Sequence, residues 1–450
     1  MAQRKVKIGI CHYRIGKTDG ISLEIIKRKK ALEKMGHIVK LISGPVQNGS
    51  DFIIKDLEFD TPEIVKIKKN AFTKLKDYKN QNELMHHIYD VSDRIKKRFL
   101  AIQKKQKFDY LFLHNIFSHG RHIAAAKAFY DAMKETGIKT IAVNHDFYDS
   151  YEGLYTPRTS KVKKYLSKYV PPKEKSIKHV TINSLSQKLL YKKIAQHSIV
   201  FPDTFEFSQK PWIVDSYNID LLHKYNIKNN DLVILQATRI VERKAIEMAI
   251  EFVAELNKKL SKIEGKTLYN GKILDKKSKI ILVFAGFVEP ASREYWKKLQ
   301  ELMKNRNVKY KYIAPIIKHR RMKKNGKKIY SLWDAYAIAD IVTYPSTWEG
   351  FGNQFLEAVF AKKPTLIFEY PVFTADIKPQ GYQIISLGNK FIRVKNLATI
   401  PYNKIKKAVK ETIDLMLNSK TNKLLNKNFQ IGKKNHGEKA LNKLLKECLK

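Results

Sequence analysis

Cysteine is almost absent: Cys11 and Cys448 are the two in a chain of 450 residues. Such a pair supplies neither a disulfide framework nor the spacing of a zinc site. Long apolar runs are missing as well. None approaches the roughly 18–20 residues that a membrane-crossing helix needs, so no helical span is expected. The opening, MAQRKVKIGICHY, is polar before it enters a strand-like run, and a secretion signal is not expected there. The expectation is a soluble, cytoplasmic protein. No Asp-x-Asp pair stands out as a metal motif. Glycine is scarce, 19 in all, so a place where glycines gather carries information. Acids are outnumbered: 43 Asp and Glu stand against 87 Lys and Arg, a formal net charge of +44.

That charge has two readings. One is attraction to an anionic partner, whether nucleic acid, a lipid surface or a phosphorylated substrate. The other is compositional, because Lys, Asn and Ile are abundant together, as an AT-rich genome produces. The lysines are spread along the chain. The last fifty residues hold 13 Lys and 4 acids, 13 − 4 = +9, only a mild concentration. A peripheral contact of this tail with an anionic membrane is one expectation; a specific nucleic-acid partner is not expected.

Hydrophobic residues make up 43% of the chain, a globular composition. The length allows two or three domains, each with its own core. Short apolar runs alternate with helix-length segments: strand candidates lie at 6–13, 37–44, 108–115, 139–146 and 179–183. Near 198–212, SIVFPDTFEFSQKPW, the pattern breaks at two prolines and reads as a linker. It restarts with candidates at 232–238, 279–287, 310–315, 339–346, 363–371 and 383–388. Strands alternating with helices predict parallel sheets. The expected fold class is therefore α/β, with two doubly wound Rossmann-like domains, 1–205 and 206–401, and a basic helical tail, 402–450, packing back toward the first domain. The stretch 263–279, IEGKTLYNGKILDKKSK, reads as a solvated insertion.

Open α/β sheets bind ligands at the carboxyl ends of their strands. Four unusual segments follow strand candidates: RIGKTDGIS, NHDFYDSYEG, TRIVERKA and, at 344–359, YPSTWEGFGNQFLEAV. The last places Gly350 and Gly352 between Glu349 and Glu357. A helix starting near Gly352 or Asn353 turns its free amides toward the loop, which favours an anion. Carboxylates on either side accept hydrogen bonds from hydroxyl groups. A ligand with phosphates in the middle and hydroxyls at both ends, such as a nucleotide sugar, has the matching layout. An acidic loop leading into a helix with an N-terminal Glu is the purely structural alternative.

PSTWEGFGNQFLEA resembles the E-x7-E signature of the family 4 retaining glycosyltransferases, which have the two-domain GT-B fold with a cleft between the domains. The resemblance implies that Glu349 contacts the donor sugar and Glu357 the ribose, with Gly350, Phe351, Gly352 and Asn353 lining sugar and phosphate. QATRIVERKAIEMAIE resembles the family segment whose Arg and Lys, here Arg239 and Lys244, hold the diphosphate. Cations there stabilise the charge that develops on the leaving group. FPDTFEF is similar to the family's interdomain turn, with Pro202–Asp203 where Pro-Asn is more usual. GKTDGISLEI is similar to the loop after the first strand, where Gly16 and Gly20 would admit donor phosphates and acceptor; it departs from the commoner Gly-Gly pair. AVNHDFYDSYEG resembles the histidine-containing loop and would put His145 beside the reacting carbon. A histidine hydrogen-bonded at a strand end is the alternative for His145, and His114 and His119 read as structural. The wording GFGNQFLEA and DGISLE is similar to that of members making small glycosylated compatible solutes.

The resemblance implies a retaining hexosyltransferase that takes a nucleotide-diphosphate sugar (UDP- or GDP-linked) as co-substrate, needs no tightly bound cofactor or metal, and transfers to a sugar, small solute, glycan or lipid. The assigned catalytic residues are His145, Arg239, Lys244 and Glu349. A GT-B epimerase or phosphorylase would share the fold, although no motif for a lysine-bound pyridoxal phosphate is visible. A non-enzymatic anion or nucleic-acid binder would instead tolerate changes at Glu349.

Overall fold

The computed structural model describes residues 5–16, 20–45, 49–150 and 154–450. The chain divides into two compact units, Met1–Thr204 with Glu438–Lys450, and Phe205–Gly437.

The first unit is built on a parallel sheet of strands β1 (Lys7–Cys11), β2 (Ile38–Ser43), β3 (Phe52–Ile53), β4 (Tyr110–His114), β5 (Lys139–Asn144), β6 (Ile177–Thr181) and β7 (Ser198–Val200). Their order is β3-β2-β1-β4-β5-β6-β7. Every pairing is parallel. Strands β4 and β5 are apolar on both faces because helices cover both. One face of the sheet, including Leu111, Leu113 and Ala142, packs with helices Gln81–Gln106 and Ile123–Thr136. The other, including Ile8, Ile10 and Phe112, packs with helix Gly20–Lys34 and with Leu441, Leu445 and Cys448 from the end of the chain.

The second unit repeats the design. Its sheet holds β8 (Leu232–Gln236), β9 (Ile280–Phe284), β10 (Lys309–Tyr312) and, after a smaller sheet of β11 (Ile317–Lys318), β12 (Met322–Lys324) and β13 (Lys327–Ser331), the strands β14 (Ile341–Tyr344), β15 (Thr365–Ile367) and β16 (Ile385–Ser386). The order β10-β9-β8-β14-β15-β16 starts in the middle and switches direction, as in the first unit. In each unit the topological switch falls beside the first strand, where such sheets open to ligands.

Three parts of the sequence reading need revision. Ser198–Val200, read as linker, is the parallel edge strand β7; three residues are too few to show a period. The stretch 263–279 is anchored rather than free. Ile263, Leu268 and Leu274 are buried, Tyr269 donates to the Asp340 carbonyl at 2.7 Å and Asn270 to the Asp340 carboxylate at 2.6 Å. The tail 402–450 is divided. Helices Tyr402–Leu417 and Thr421–His436 belong to the second unit, and only Glu438–Cys448 joins the first. Gly437 permits the break, since a Cβ there would come within 2.3 Å of the Lys433 carbonyl oxygen.

Candidate active site

The carboxyl ends of β8 and β14 lie side by side in the second unit, tied by Thr343 Oγ1 donating to Gln236 Oε1 and Gln236 Nε2 to Thr238 Oγ1, both at 2.6 Å. After β8 the chain passes Arg239 and makes a 3-10 turn, Glu242–Lys244, before helix Ile246–Asn257. After β14 it runs through Glu349 and the glycines into helix Asn353–Phe360. The two loops are stitched together: Thr347 donates its backbone N–H (2.9 Å) and its hydroxyl (3.1 Å) to the Arg243 carbonyl.

This stitching brings Lys244 onto Glu349. The two side chains form a hydrogen-bonded ion pair, and both are buried. Arg243 Nη1 lies 2.9 Å from the other carboxylate oxygen and donates to the Trp348 carbonyl at 3.0 Å. Burial raises the Glu349 carboxyl, but Lys244 and Arg243 outweigh it and hold it at about 2. Burial pulls Lys244 down to about 8 despite Glu349. One carboxylate thus lies under two cations, so the cluster carries a net positive charge at neutral pH.

Gly352 precedes the helix with φ +126°, and a Cβ there would stand 2.1 Å from Tyr370 Oη. That hydroxyl donates to the Phe351 carbonyl at 2.6 Å, fixing the loop against the end of β15. No side chain caps the helix N-terminus, and Asn353 Oδ1 is buried without a hydrogen-bond partner. Gly350 is half-buried; Phe351 is buried with its ring 5.1 Å from that of His436. Glu357, one turn into the helix, accepts from Tyr336 Oη at 2.8 Å. Lys244, Glu349 and the residues from Gly350 to Glu357 thus lie on two joined loops and the helix that follows.

Arg239 does not pair with Glu349, although its charge is close enough to lower the proton affinity of Lys244. It is half-exposed and ion-paired to Glu289. The second cation on Glu349 is Arg243, which the sequence reading missed. The one available signal was its place directly before Lys244 in a turn. Gly286 was also missed: a Cβ there would overlap the Thr238 carbonyl oxygen at 1.8 Å, so the loop after β9 must press on the loop carrying Arg239.

In the first unit Gly16 has φ 104° and Gly20 opens helix Gly20–Lys34. The loop residues 17–19 between them, and 151–153 of the histidine-containing loop, lie outside the described residues. His145 is buried at the end of β5. Its Nε2 is 3.0 Å from His114 Nδ1, the rings stack, and its backbone N–H donates to Asn115 Oδ1 at 2.7 Å. His12, at the end of β1, meets the His114 carbonyl through Nδ1 at 2.9 Å. Burial, reinforced by the buried Arg28, holds His114 and His145 well below the usual imidazole range, so both are neutral at pH 7. His119 Nδ1 accepts from the Arg121 backbone at 3.1 Å. Among the described residues no group of three His, Cys, Asp or Glu could hold a metal ion, and no helix is long and apolar enough to cross a membrane.

The sequence matches the family model described as glycosyl transferases group 1 over residues 219–428. It is 40% identical over 417 residues to a mannosylglucosylglycerate synthase of Petrotoga mobilis, covering 91% of this chain and 93% of that one. It is 33% identical over 442 residues to the enzyme of the same name from Thermotoga maritima, covering 98% and 99%. Among solved structures, a glycosyltransferase from Rickettsia africae superposes with a TM-score of 0.63 at 16% identity over 100% of both chains.

Proposed function

Because the chain belongs to the group 1 glycosyl transferases and has the GT-B fold, we propose that it is a retaining hexosyltransferase using a nucleotide-diphosphate sugar. The observation that carries this reading is the buried Lys244–Glu349 pair, with the part-exposed Arg243 on the same carboxylate, beside the uncapped helix at Asn353. The cations and the helix N-terminus suit a diphosphate. Glu349, with lone pairs left over from its ion pairs, suits the sugar hydroxyls, and Glu357 the ribose. The names of the two relatives suggest a mannosyl donor and glucosylglycerate as acceptor.

In the proposed reaction the bond between the anomeric carbon and the phosphate oxygen breaks, and its electron pair stays with the diphosphate. Lys244, Arg243 and the helix N-terminus take up that charge, a stabilisation larger in the transition state than before it. The acceptor oxygen attacks from the face the diphosphate leaves, and its proton passes to the departing phosphate oxygen. Configuration at the anomeric carbon is thereby kept. The neutral, buried His145 is suited to a hydrogen bond and not to supplying charge.

The test is an NMR time course with GDP-mannose, UDP-glucose and ADP-glucose, each with and without glucosylglycerate. Transfer with retained configuration is expected, dependent on acceptor. An inverted product would remove the retaining mechanism. Free sugar formed equally fast without acceptor would remove the transferase reading.

A further inference from the structure

The stretch 318–328, KHRRMKKNGKK, holds seven Lys or Arg and no acid. Over the chain 87 residues of 450 are Lys or Arg, so the local density is about three times the average, well above the compositional background. The stretch forms most of an antiparallel hairpin, β12 and β13, turning at Asn325 and Gly326, both with positive φ. Its register sets Lys323 opposite Lys328 and Lys324 opposite Lys327. Like charges directly opposite one another destabilise a hairpin, and an anion laid along it would relieve that repulsion.

The neighbouring acids are already used. Arg321 takes Asp215 at 2.7 Å and also pairs with Asp334, and Lys328 takes Asp220 at 3.2 Å. Lys318, Arg320, Lys323, Lys324 and Lys327 are exposed and have no carboxylate partner among the described residues. Beside them lie exposed aliphatic side chains: Met322 is 50% exposed, Val214 50%, Ile213 63% and Ile219 63%. Tyr217 clamps their segment to the hairpin, its hydroxyl 2.9 Å from the carbonyls of both Met322 and Ile329.

We propose that the hairpin and segment 213–219 form a docking surface for an anionic lipid bilayer, the aliphatic side chains entering the headgroup layer and the unpaired cations meeting lipid phosphate. Unpaired cations around exposed aliphatics are what an interfacial lipid contact uses. A nucleic-acid surface would instead offer several free rings for stacking and polar groups for base edges; here Tyr217 is flanked by Arg321 and Lys328 with its hydroxyl engaged, Tyr330 is buried, and the imidazole of His319 is the exposed ring of the stretch. The terminal helix Glu438–Cys448 is a poorer candidate: it turns Leu441 and Leu445 inward and exposes no large apolar residue. The proposal is independent of the donor site.

Co-sedimentation of the full-length protein with vesicles tests it, using phosphatidylcholine alone or mixed equally with phosphatidylglycerol. Binding is expected only to the mixed vesicles, weakening as salt rises. At roughly fivefold per cation near such a surface, the combined Lys323→Glu, Lys324→Glu and Lys327→Glu variant should lose about a hundredfold or more in partitioning. Combined Met322→Ser and Ile219→Ser, which leaves the charge unchanged, should also weaken binding. Glycosyl transfer between soluble substrates, without vesicles, should be unchanged in both variants. A matched variant of the terminal helix, Lys439→Glu, Lys443→Glu and Lys446→Glu, controls for overall charge, and an equal loss there would overturn the proposal. So would failure of the wild type to bind mixed vesicles at low salt, or tighter hairpin-dependent binding to a DNA duplex of mixed sequence.

Discussion

Lys244 and Glu349 are both buried, and each sets the proton affinity of the other. Glu349 is held at about 2 against an ordinary 4.5, so the pair contributes stability that is lost as pH falls from about 4.5 toward 2. Lys244 is lowered from 10.5 to about 8, so burying its charge costs stability below about 8, and that cost disappears as pH rises toward 10.5. A diphosphate alongside would restore the lysine's affinity for its proton. Nucleotide binding at pH 9 should therefore take up close to one proton, and near pH 6.5 almost none. Calorimetry in buffers of different protonation enthalpy measures this; a proton count independent of pH would place the diphosphate elsewhere. Lys244→Ala or Arg243→Ala should raise the donor KM and lower kcat by roughly a hundredfold. Arg239→Ala should do less, because that guanidinium is half-exposed and spent on Glu289. Equal losses at Arg239 and Arg243, measured by steady-state kinetics, would return Arg239 to the centre of the site.

At the scale of elements, the loops after β8, β9 and β14 are held where backbone approaches backbone. Gly286 is the tightest case. A methyl group there meets the Thr238 carbonyl oxygen at 1.8 Å and the Arg239 nitrogen at 2.7 Å. Neither atom belongs to a flexible side chain, so one loop must move. Gly286→Ala should cost about 1–3 kcal/mol and displace the loop leading to Lys244, lowering Tm by several degrees and raising the donor KM together. An unchanged Tm by calorimetry would show that the loops separate freely. Gly352 is constrained twice, by its φ of +126° and by Tyr370 Oη, and the helix whose N-terminus faces the site starts directly after it.

Over the whole molecule, each unit has its own sheet and its own core. The last helix returns to the first unit, where Leu445 is fully buried among Ile8, Ile10 and Leu32. Leu445→Ala should therefore cost about 2–5 kcal/mol in the first unit, although the residue lies at the far end of the chain. Denaturant unfolding followed by hydrogen exchange should show the loss in strands β1 and β4 and leave β8 and β14 as they were. Loss of protection confined to the second unit would contradict the assignment of this helix.

Much of this arrangement was legible before any coordinates. Most of the main strands fall within the apolar runs, since a strand buried between two helix layers must be apolar over its whole length; β6 and β10 start ahead of theirs, by two residues and by one. The helix start at Asn353 was legible because two glycines in a glycine-poor chain mark a special backbone, and proline and strand pattern precede them. Short edges were not, because Ser198–Val200 makes too few residues for a period. Pairings between distant residues were not legible either. Lys244 and Glu349 are 105 positions apart, and in a chain with 87 cations no local rule says which will lie on a given carboxylate. The sequence by itself determined the two α/β units, the loops at their strand ends and the glycine-framed helix start, all products of local period and turn chemistry. Only the tertiary structure decided that Arg243 shares Glu349 with Lys244, that His145 leans on His114, and that the tail divides between the units. Those choices depend on which loops press together, and that is set by the register and order of strands across each sheet.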